Sequence, residues 1–374
     1  MPYKISGTKS ATARILIFKE SDWSIESNTV VSGSGAYEID VETGVKTIVA
    51  ETTAGEMFGY GNVTAFEYTL PSSNRGIFAG GWANSDPIDD IDYIAISTAG
   101  DAQDFGNLTT TRQALAGTSN GTNNRGVFGG GFISPETNRI DYIPINTPTD
   151  SVDFGDLTVV RYTLAAVSNG TNERGCFAGG RNWAETRFST IDYITINSTG
   201  NATSFGALIQ ARKQLAGTDN ATNDRGIFAG GDTGTVASKN EVNTIDYITI
   251  SSTGTATNFG DLTLVRRDLA ATSNGINNRA VFGGGYYNSF SNIIDYVNIQ
   301  STSDAFDFGD LSTVRQRLSA TSNGTNNRGV FAGGDNTNFI EYITISNPGG
   351  TATNFGNLTS IYLYKLYMSA CSNA

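Results

Sequence analysis

The feature that most constrains the fold is a string of eight residues that occurs six times along the chain, with small changes. Its first copy is Asn74–Gly81 (NRGIFAGG), and the arginine of each copy lies about 50 residues after the previous one. A second marker, of the type Ile-Asp-Tyr-Ile, follows about fifteen residues after each copy. Repeats of this period indicate an array built from one supersecondary unit, in which neighbouring units share a core.

Each repeat contains four segments that favour short strands. Residues 269–273 (LAATS) end at an Asn-Gly dipeptide, which is the strongest short hairpin signal. Residues 280–282 (AVF) run into three glycines, the Ile-Asp-Tyr-Ile segment is β-branched and aromatic, and a Phe-Gly segment follows. Helical periodicity is absent. Four antiparallel strands per repeat and six repeats predict an all-β, six-bladed β-propeller.

The order of these segments resembles the kelch repeat, in which an apolar strand ends in Gly-Gly and is followed by a strand with a tyrosine, an aromatic strand and an arginine. The chain departs from the usual form because phenylalanine stands where a kelch repeat has tryptophan, at Phe105, Phe154, Phe205, Phe259, Phe308 and Phe355. The resemblance therefore implies a divergent, kelch-like propeller over residues 69–374. Residues 365–373 align with residues 161–169, so we expect a C-terminal strand to complete the first blade and close the ring.

Residues 1–68 do not repeat. The runs 13–18, 35–41 and 46–50 read as strands with turn residues between them, which predicts a small β-sandwich. Their order is similar to the prealbumin or carboxypeptidase-regulatory type of sandwich. Domains of that type often begin phage virion proteins and attach them to other virion proteins, so the resemblance implies a docking module. The alternative is an additional sandwich with no docking role.

Composition excludes several classes of function. The chain has no histidine, which removes Ser-His-Asp and Cys-His catalysis and every histidine-containing zinc site. The net charge of −12 and the lack of a basic stripe with aromatic residues argue against a nucleic-acid partner. No apolar run approaches the roughly 20 residues of a membrane helix. No glycine segment matches a phosphate-binding loop, and we predict no cofactor and no metal.

Equivalent carboxylates occupy the third strand of every repeat: Asp92, Asp141, Asp192, Asp246, Asp295 and Glu341. They could serve catalysis or bind calcium, since hard cations need oxygen ligands. Strand alternation instead puts Asp246 on one face with Ile248, in the packed space between blades, where a carboxylate must be paired. Use in every blade favours this structural role, because catalysis needs one asymmetric site. We expect the same inter-blade role for Arg75, Arg125, Arg174, Arg225, Arg279 and Arg328; a second arginine per repeat, such as Arg266, is another possible partner.

The loop between the second and third strands differs between repeats, with six to fourteen residues from the glycines to the carboxylate. We expect these loops on one face of the ring, beside the connections between blades. Irregular loops on a uniform scaffold are common binding sites, and their aromatic residues suit a sugar or a protein. Alternatively they fold back over the blade edges. The aromatic residues are Trp82, Phe132, Trp183, Phe188, Tyr286, Tyr287, Phe290 and Phe339.

The sequence thus favours a non-enzymatic, structural or binding component of a phage virion, tail-associated or on the capsid surface. Its propeller would contact a host-surface glycan or protein, and its N-terminal domain other virion proteins. A bacterial surface or secreted carbohydrate-binding adhesin is the alternative, located at the cell surface. An enzyme that degrades polysaccharide through loop carboxylates is a third. Its candidates are Asp86, Asp89, Asp90, Glu136, Glu185, Asp232, Glu241 and Asp335.

Overall fold

The computed structural model describes residues 74–373 except 135, 236–237, 336 and 360–363, together with the backbone of strands between residues 3 and 67. The chain divides into two compact units, Met1–Leu70 and Pro71–Ala374. Among the described residues, none belongs to a helix with the length and hydropathy needed to cross a membrane.

The first unit contains antiparallel strands in two sheets. Its described strands are β1 (Tyr3–Lys9), β2 (Ala13–Lys19), β3 (Ile25–Val31), β4 (Gly35–Val41), β5 (Val45–Thr52), β6 (Met57–Thr64) and β7 (Phe66–Glu67). One sheet has the order β4-β1-β7 and the other β3-β2-β5-β6. The three runs expected to be strands fall in β2, β4 and β5. The side-chain packing that would make a β-sandwich of these sheets lies outside the described residues.

The second unit is an all-β, six-bladed propeller, which confirms the predicted fold class. Every blade is an antiparallel sheet of four strands. The first strand of a blade is the one nearest the axis and the fourth is the outermost, whereas the β labels follow the order of the chain. Blade 1 consists of β33 (Ser369–Ser372), β8 (Arg75–Ala83), β9 (Asp86–Ala95) and β10 (Gln103–Asn107). Blade 2 consists of β11 (Ala116–Ser119), β12 (Arg125–Gly129), β13 (Arg139–Pro144) and β14 (Val152–Asp156). Blade 3 consists of β15 (Ala165–Ser168), β16 (Arg174–Ala178), β17 (Thr190–Thr195) and β18 (Thr203–Ala207).

The remaining blades follow the same plan. Blade 4 consists of β19 (Ala216–Asp219), β20 (Arg225–Ala229), β21 (Thr244–Thr249) and β22 (Thr257–Asp261). Blade 5 consists of β23 (Ala270–Ser273), β24 (Arg279–Gly283), β27 (Ile293–Asn298) and β28 (Phe306–Asp310), with a small hairpin of β25 (Tyr286–Tyr287) and β26 (Ser289–Phe290) in its loop. Blade 6 consists of β29 (Ser319–Ser322), β30 (Arg328–Ala332), β31 (Phe339–Thr344) and β32 (Thr353–Asn357).

The ring closes within blade 1. Its innermost strand, β33, pairs with β8 in a register that joins Ser369 to Ala79 and Ser372 to Gly76. The first strands of the six blades lie side by side around the axis. Their central positions carry alanine or glycine, which allows this close approach.

Apolar cores fill the spaces between neighbouring blades. Between blades 3 and 4, the fully buried Phe228 of β20 packs in one cluster with Ile191 and Phe205 of blade 3 and Ile250 of blade 4. The second strand of each blade carries an equivalent buried phenylalanine. Burial of one such side chain contributes about 1.5–3 kcal/mol, so the contacts between blades hold the ring together.

The repeated Phe-Gly dipeptide forms a β-bulge in the outermost strand. In blade 4 the register with β21 shifts at this point, and Phe259 packs edge-on against Tyr247 at 6.1 Å between ring centroids. Gly260 has a φ of 150°, and a Cβ there would lie 2.3 Å from the carbonyl oxygen of Ser303 in blade 5. The loop of the next blade therefore occupies the space that any other residue would need.

Candidate binding face

The third-strand carboxylates are buried, and each is paired with a cation from the connection that precedes the first strand of its blade. Five of these pairs have N–O distances between 2.7 and 3.2 Å, and all the side chains are at most 3% exposed. The pairs are Asp92–Lys365, Asp141–Arg112, Asp192–Arg161, Asp246–Arg212, Asp295–Arg266 and Glu341–Arg315. Burial lowers the pKa of these guanidinium groups, that of Arg161 to about 10. Because unpaired buried charges are costly, the carboxylates act as partners within the scaffold.

The same carboxylates link each blade to the one before it. Asp192 of blade 3 accepts hydrogen bonds from the backbone N–H and the Oγ1 of Thr158, which follows the last strand of blade 2, at 3.1 and 2.6 Å. In blade 4 the corresponding residue is Ile209, whose N–H reaches Asp246 Oδ2 at 3.2 Å. Asp246 Oδ1 has no hydrogen-bond partner among the described residues, and burial raises the pKa of this carboxyl group.

The arginines at the start of the second strands also join blades, but through other contacts. The guanidinium of Arg225 lies 4.5 Å from the centroid of the Tyr247 ring and donates to the carbonyl of Ile299 in the next blade at 3.0 Å. This contact recurs around the ring, and Arg328 completes the circle by donating to Ile96 of blade 1. The partner of Asp246 is therefore neither Arg225 nor Arg266 but Arg212, the equivalent of Arg266 in the connection before its own blade. In blade 1 this position is Lys365.

The variable loops and the connections between blades lie at one end of the blades, here called the variable face. Among the loop aromatic residues, Trp183, Phe339 and Tyr287 are exposed, at 68%, 49% and 39%. The half-buried ones are Trp82, Phe132, Phe188, Tyr286 and Phe290. The loop aromatic residues thus include both exposed and half-buried side chains. Tyr286 and Phe290 pack on each other within their hairpin, whereas Trp183 extends into solvent.

A closed circle of six main-chain hydrogen bonds surrounds the axis on the variable face. Each blade contributes one residue with φ between 55° and 61°, whose N–H donates to the carbonyl of its counterpart in the preceding blade at 2.7–2.9 Å. These residues, here called the inner ring, are Ala114, Thr163, Gln214, Asp268, Arg317 and Tyr367. The backbone is the same at all six positions, and the side chain is different at every one.

A second tier surrounds the inner ring. The residue before each inner-ring position faces the residue that follows the Gly-Gly of the same blade, and five of the six pairs form isolated β-bridges. The side-chain contacts of these pairs again differ. Arg181 lies over the ring of Tyr162 at 4.7 Å, whereas Gln316 donates to Asp335 Oδ2 at 2.6 Å. The divergence between blades is thus concentrated around the axis on this face.

The opposite end of the propeller, here called the turn face, is nearly uniform. Blades 2–6 each have a short 3-10 turn after the first strand, at Gly121–Asn123, Gly170–Asn172, Ala221–Asn223, Gly275–Asn277 and Gly324–Asn326. The asparagine before the turn bonds within its blade and to the next one, as Asn169 does to Arg174 N–H and Asp224 Oδ1. Asp219 stands where the other blades have serine; it accepts two backbone N–H bonds, and burial raises its pKa to about 6.

The loop carboxylates that could serve an enzyme are largely engaged in ion pairs. Glu185 contacts Arg181 and Lys213, and Asp232 contacts Lys213. The other pairs are Asp232–Lys239, Glu241–Arg267, Asp335–Arg317 and Asp90–Lys365. These carboxylates therefore balance local positive charge on the variable face.

The inner ring was not singled out from the sequence, although a sign of it is present there. Aligned copies read Arg-x-x-Leu at the start of blades 2–6, as in residues 161–164 and 212–215, and Lys-x-x-Met at residues 365–368 of blade 1. The two middle positions change in nearly every copy while their neighbours stay almost constant. Variation between copies inside an otherwise fixed motif would have identified both the inner ring and the second tier.

No protein-family model matches the chain, and no curated protein is significantly similar to it.

Proposed function

We propose that this protein is a non-enzymatic binding component of a phage virion, tail-associated or on the capsid surface, and that its variable face contacts a host-surface or protein partner. The observation that carries the binding role is the contrast between a repeated scaffold and the diverged side chains at one end of it. Binding residues commonly lie on variable positions held by a rigid framework.

The inner ring supports this role because its side chains are retained at an energetic cost. All six residues have left-handed backbone, which costs an L-amino acid about 1 kcal/mol relative to glycine. The repeats use glycine freely elsewhere, with 44 in the chain. Six non-glycine residues of six kinds at strained positions indicate that the side chains serve a purpose beyond folding.

The finer assignments rest on resemblance. We propose that the repeats are a divergent kelch-like form, in which the bulged phenylalanine takes the place of the usual tryptophan against the tyrosine of the third strand. We further propose that residues 1–68 form a β-sandwich that docks on other virion proteins. Mass spectrometry of purified particles tests the virion assignment, and a chain present in the cell lysate but absent from the particles would contradict it.

The binding role is tested with the full chain, labelled with a fluorophore and applied to host cells. Gln214→Ala and Arg317→Ala alter the variable face, and we expect each to lower the amount of bound protein. Thr122→Ala and Thr325→Ala change exposed positions on the turn face and serve as matched controls. Equal binding by all four variants, or loss confined to the turn-face pair, would contradict the proposal.

A further inference from the structure

An exposed aromatic surface crosses blades 2 and 3 on the variable face. The ring of Trp183 stacks on Phe132 with centroids 5.4 Å apart and an angle of 18°, and Phe132 in turn contacts Tyr162 at 5.1 Å. The backbone N–H of Trp183 donates to Glu136 Oε1 at 3.0 Å, which fixes the position of the loop tip. The rings of Trp183, Phe132 and Tyr162 are here called the aromatic platform. Trp183 remains 68% exposed in it. A flat, supported and solvent-facing indole suits stacking against a ring-shaped ligand that has polar edges.

A group of cations lies beside the platform. Arg181 and Lys213 both contact Glu185, and Lys213 and Lys239 both contact Asp232, at N–O distances of 3.3–3.8 Å for the lysines. Arg187 donates to the carbonyl of Glu185 from the same loop. These four cations are here called the cationic cluster. They face Glu185 and Asp232, and with Glu136 beside Trp183 the local charge is +1, in a chain of net charge −12.

The field inside the cluster is positive. Burial, followed by repulsion from Arg181, Lys239 and Arg187, lowers the pKa of Lys213 to about 8, while Asp232 opposes this change. Lys213 is 1% exposed, so its ammonium group lacks the hydration that would offset this repulsion. A bound anion would relieve it.

Arg187 has an unused hydrogen-bonding edge. Its Nε and Nη2 are buried and have no partner among the described residues, while Nη1 donates to the Glu185 carbonyl at 3.2 Å. Nε and Nη2 form the side of a guanidinium that accepts a carboxylate through two parallel bonds. Burial without a partner is unfavourable, so rotation of this long side chain towards a surface anion costs little.

From this combination we infer a subsite for an acidic sugar, a uronate unit of a glycan, whose ring stacks on Trp183 and whose carboxylate pairs with Arg187 and the cationic cluster. The inference rests on the proposed binding role and names its ligand class. The platform suits the apolar C–H face of a sugar ring, and the cluster suits one negative charge beside it. A long polyanion fits less well, because the chain as a whole is strongly acidic.

The test is calorimetric titration of the full chain with oligogalacturonate, oligoglucuronate and alginate oligomers, each paired with its fully methyl-esterified form. We expect at least one acid to bind, and its neutral ester to bind roughly tenfold or more weakly. Arg187→Gln should reduce binding of the acid to the level of the ester and leave the ester unchanged. Trp183→Ala should weaken both forms, and Trp183→Phe should retain part of the binding.

Phe306→Ala removes a comparably exposed aromatic residue from β28, the outermost strand of blade 5 and outside the variable loops, and should bind like the wild type. The inference is overturned if no acid binds, if acid and ester bind equally, or if the Trp183 and Arg187 variants with unchanged melting curves bind as the wild type does. Tighter binding of oligothymidylate than of any uronate would also overturn it. If any of these contradicting results is obtained while Gln214→Ala and Arg317→Ala still reduce binding to cells, the uronate subsite is refuted and the broader binding role stands.

Discussion

Blade 4 lacks a hydrogen bond that blades 1, 2, 3 and 5 make, and the substitution Ile209→Thr should restore it. In those blades a threonine Oγ1 lies 2.5–2.9 Å from the third-strand aspartate. In blade 4 the hydroxyl is missing, so Asp246 Oδ1 is buried without a partner among the described residues. We expect the variant to be more stable than the wild type.

The size of the effect follows from two opposing contributions. A hydrogen bond to a charged group is worth about 1.5–3 kcal/mol, and an unsatisfied buried acceptor costs a similar amount. Ile209 is already 44% exposed, so exchanging its side chain for the smaller threonine loses less than about 1 kcal/mol of apolar burial. The net gain is about 1 kcal/mol, and the new donor should also lower the pKa of Asp246.

Urea unfolding followed by circular dichroism measures this gain. Ile209→Val is the matched control, because valine has the shape of threonine without the hydroxyl and should be no more stable than the wild type. Thr158→Ile makes the reverse change before blade 3 and should cost about 1–3 kcal/mol. If Ile209→Thr and Ile209→Val unfold at the same urea concentration, the carboxylate in blade 4 is satisfied in some other way and the reasoning is refuted.

Three further predictions concern single positions. Burial raises the pKa of Asp219 from 3.8 to about 6. The folded state therefore holds this proton more tightly than the unfolded state, and the contribution of Asp219 to stability falls as pH rises from about 4 to 6. Asp219→Ser should consequently raise the melting temperature at neutral pH and leave it unchanged near pH 3.5; an equal shift at both would exclude titration as the cause. Gly260→Ala should destabilise the folded protein by roughly 3 kcal/mol or more, because the new Cβ would meet a carbonyl of the next blade. Gly254 has open space around it, so Gly254→Ala is the control and should fold normally. Denaturant unfolding compares the two variants. Cys176 and Cys371 are buried, with raised thiol pKa values, so a thiol reagent should label them only after unfolding; rapid labelling of the folded chain would contradict their burial.

The fold could be predicted because the repeat markers encode backbone geometry. Gly-Gly ends the second strand at positive φ, and the bulge glycine, such as Gly260, meets a carbonyl of the next blade. Because only glycine meets these backbone requirements without strain, its position in the sequence identifies the strand end and the bulge. The partner of each carboxylate was harder to assign, because strand alternation describes Asp246 but not Arg212, which lies in a connection between blades.

The backbone of the inner ring could not be predicted from the sequence for a related reason. Left-handed backbone is usually marked by glycine, but here it occurs at residues such as Thr163 and Tyr367, which carry no such mark. Its geometry is set by hydrogen bonds between blades, which depend on ring closure and cannot be read from one repeat. The sequence identifies Trp183 as a loop aromatic residue, but its stacking on Phe132 of another blade depends on tertiary packing.

The closed circle of main-chain hydrogen bonds also has a consequence for orientation. A ring of identical blades would offer a ligand on the axis six equivalent ways to sit, related by rotation. Six different side chains on one backbone circle leave a single preferred direction. Choosing one orientation of six corresponds to about 1 kcal/mol (RT ln 6), a small difference in side-chain contacts. The six side chains thereby define one orientation for an axial ligand, although the backbone of the ring is nearly six-fold symmetric.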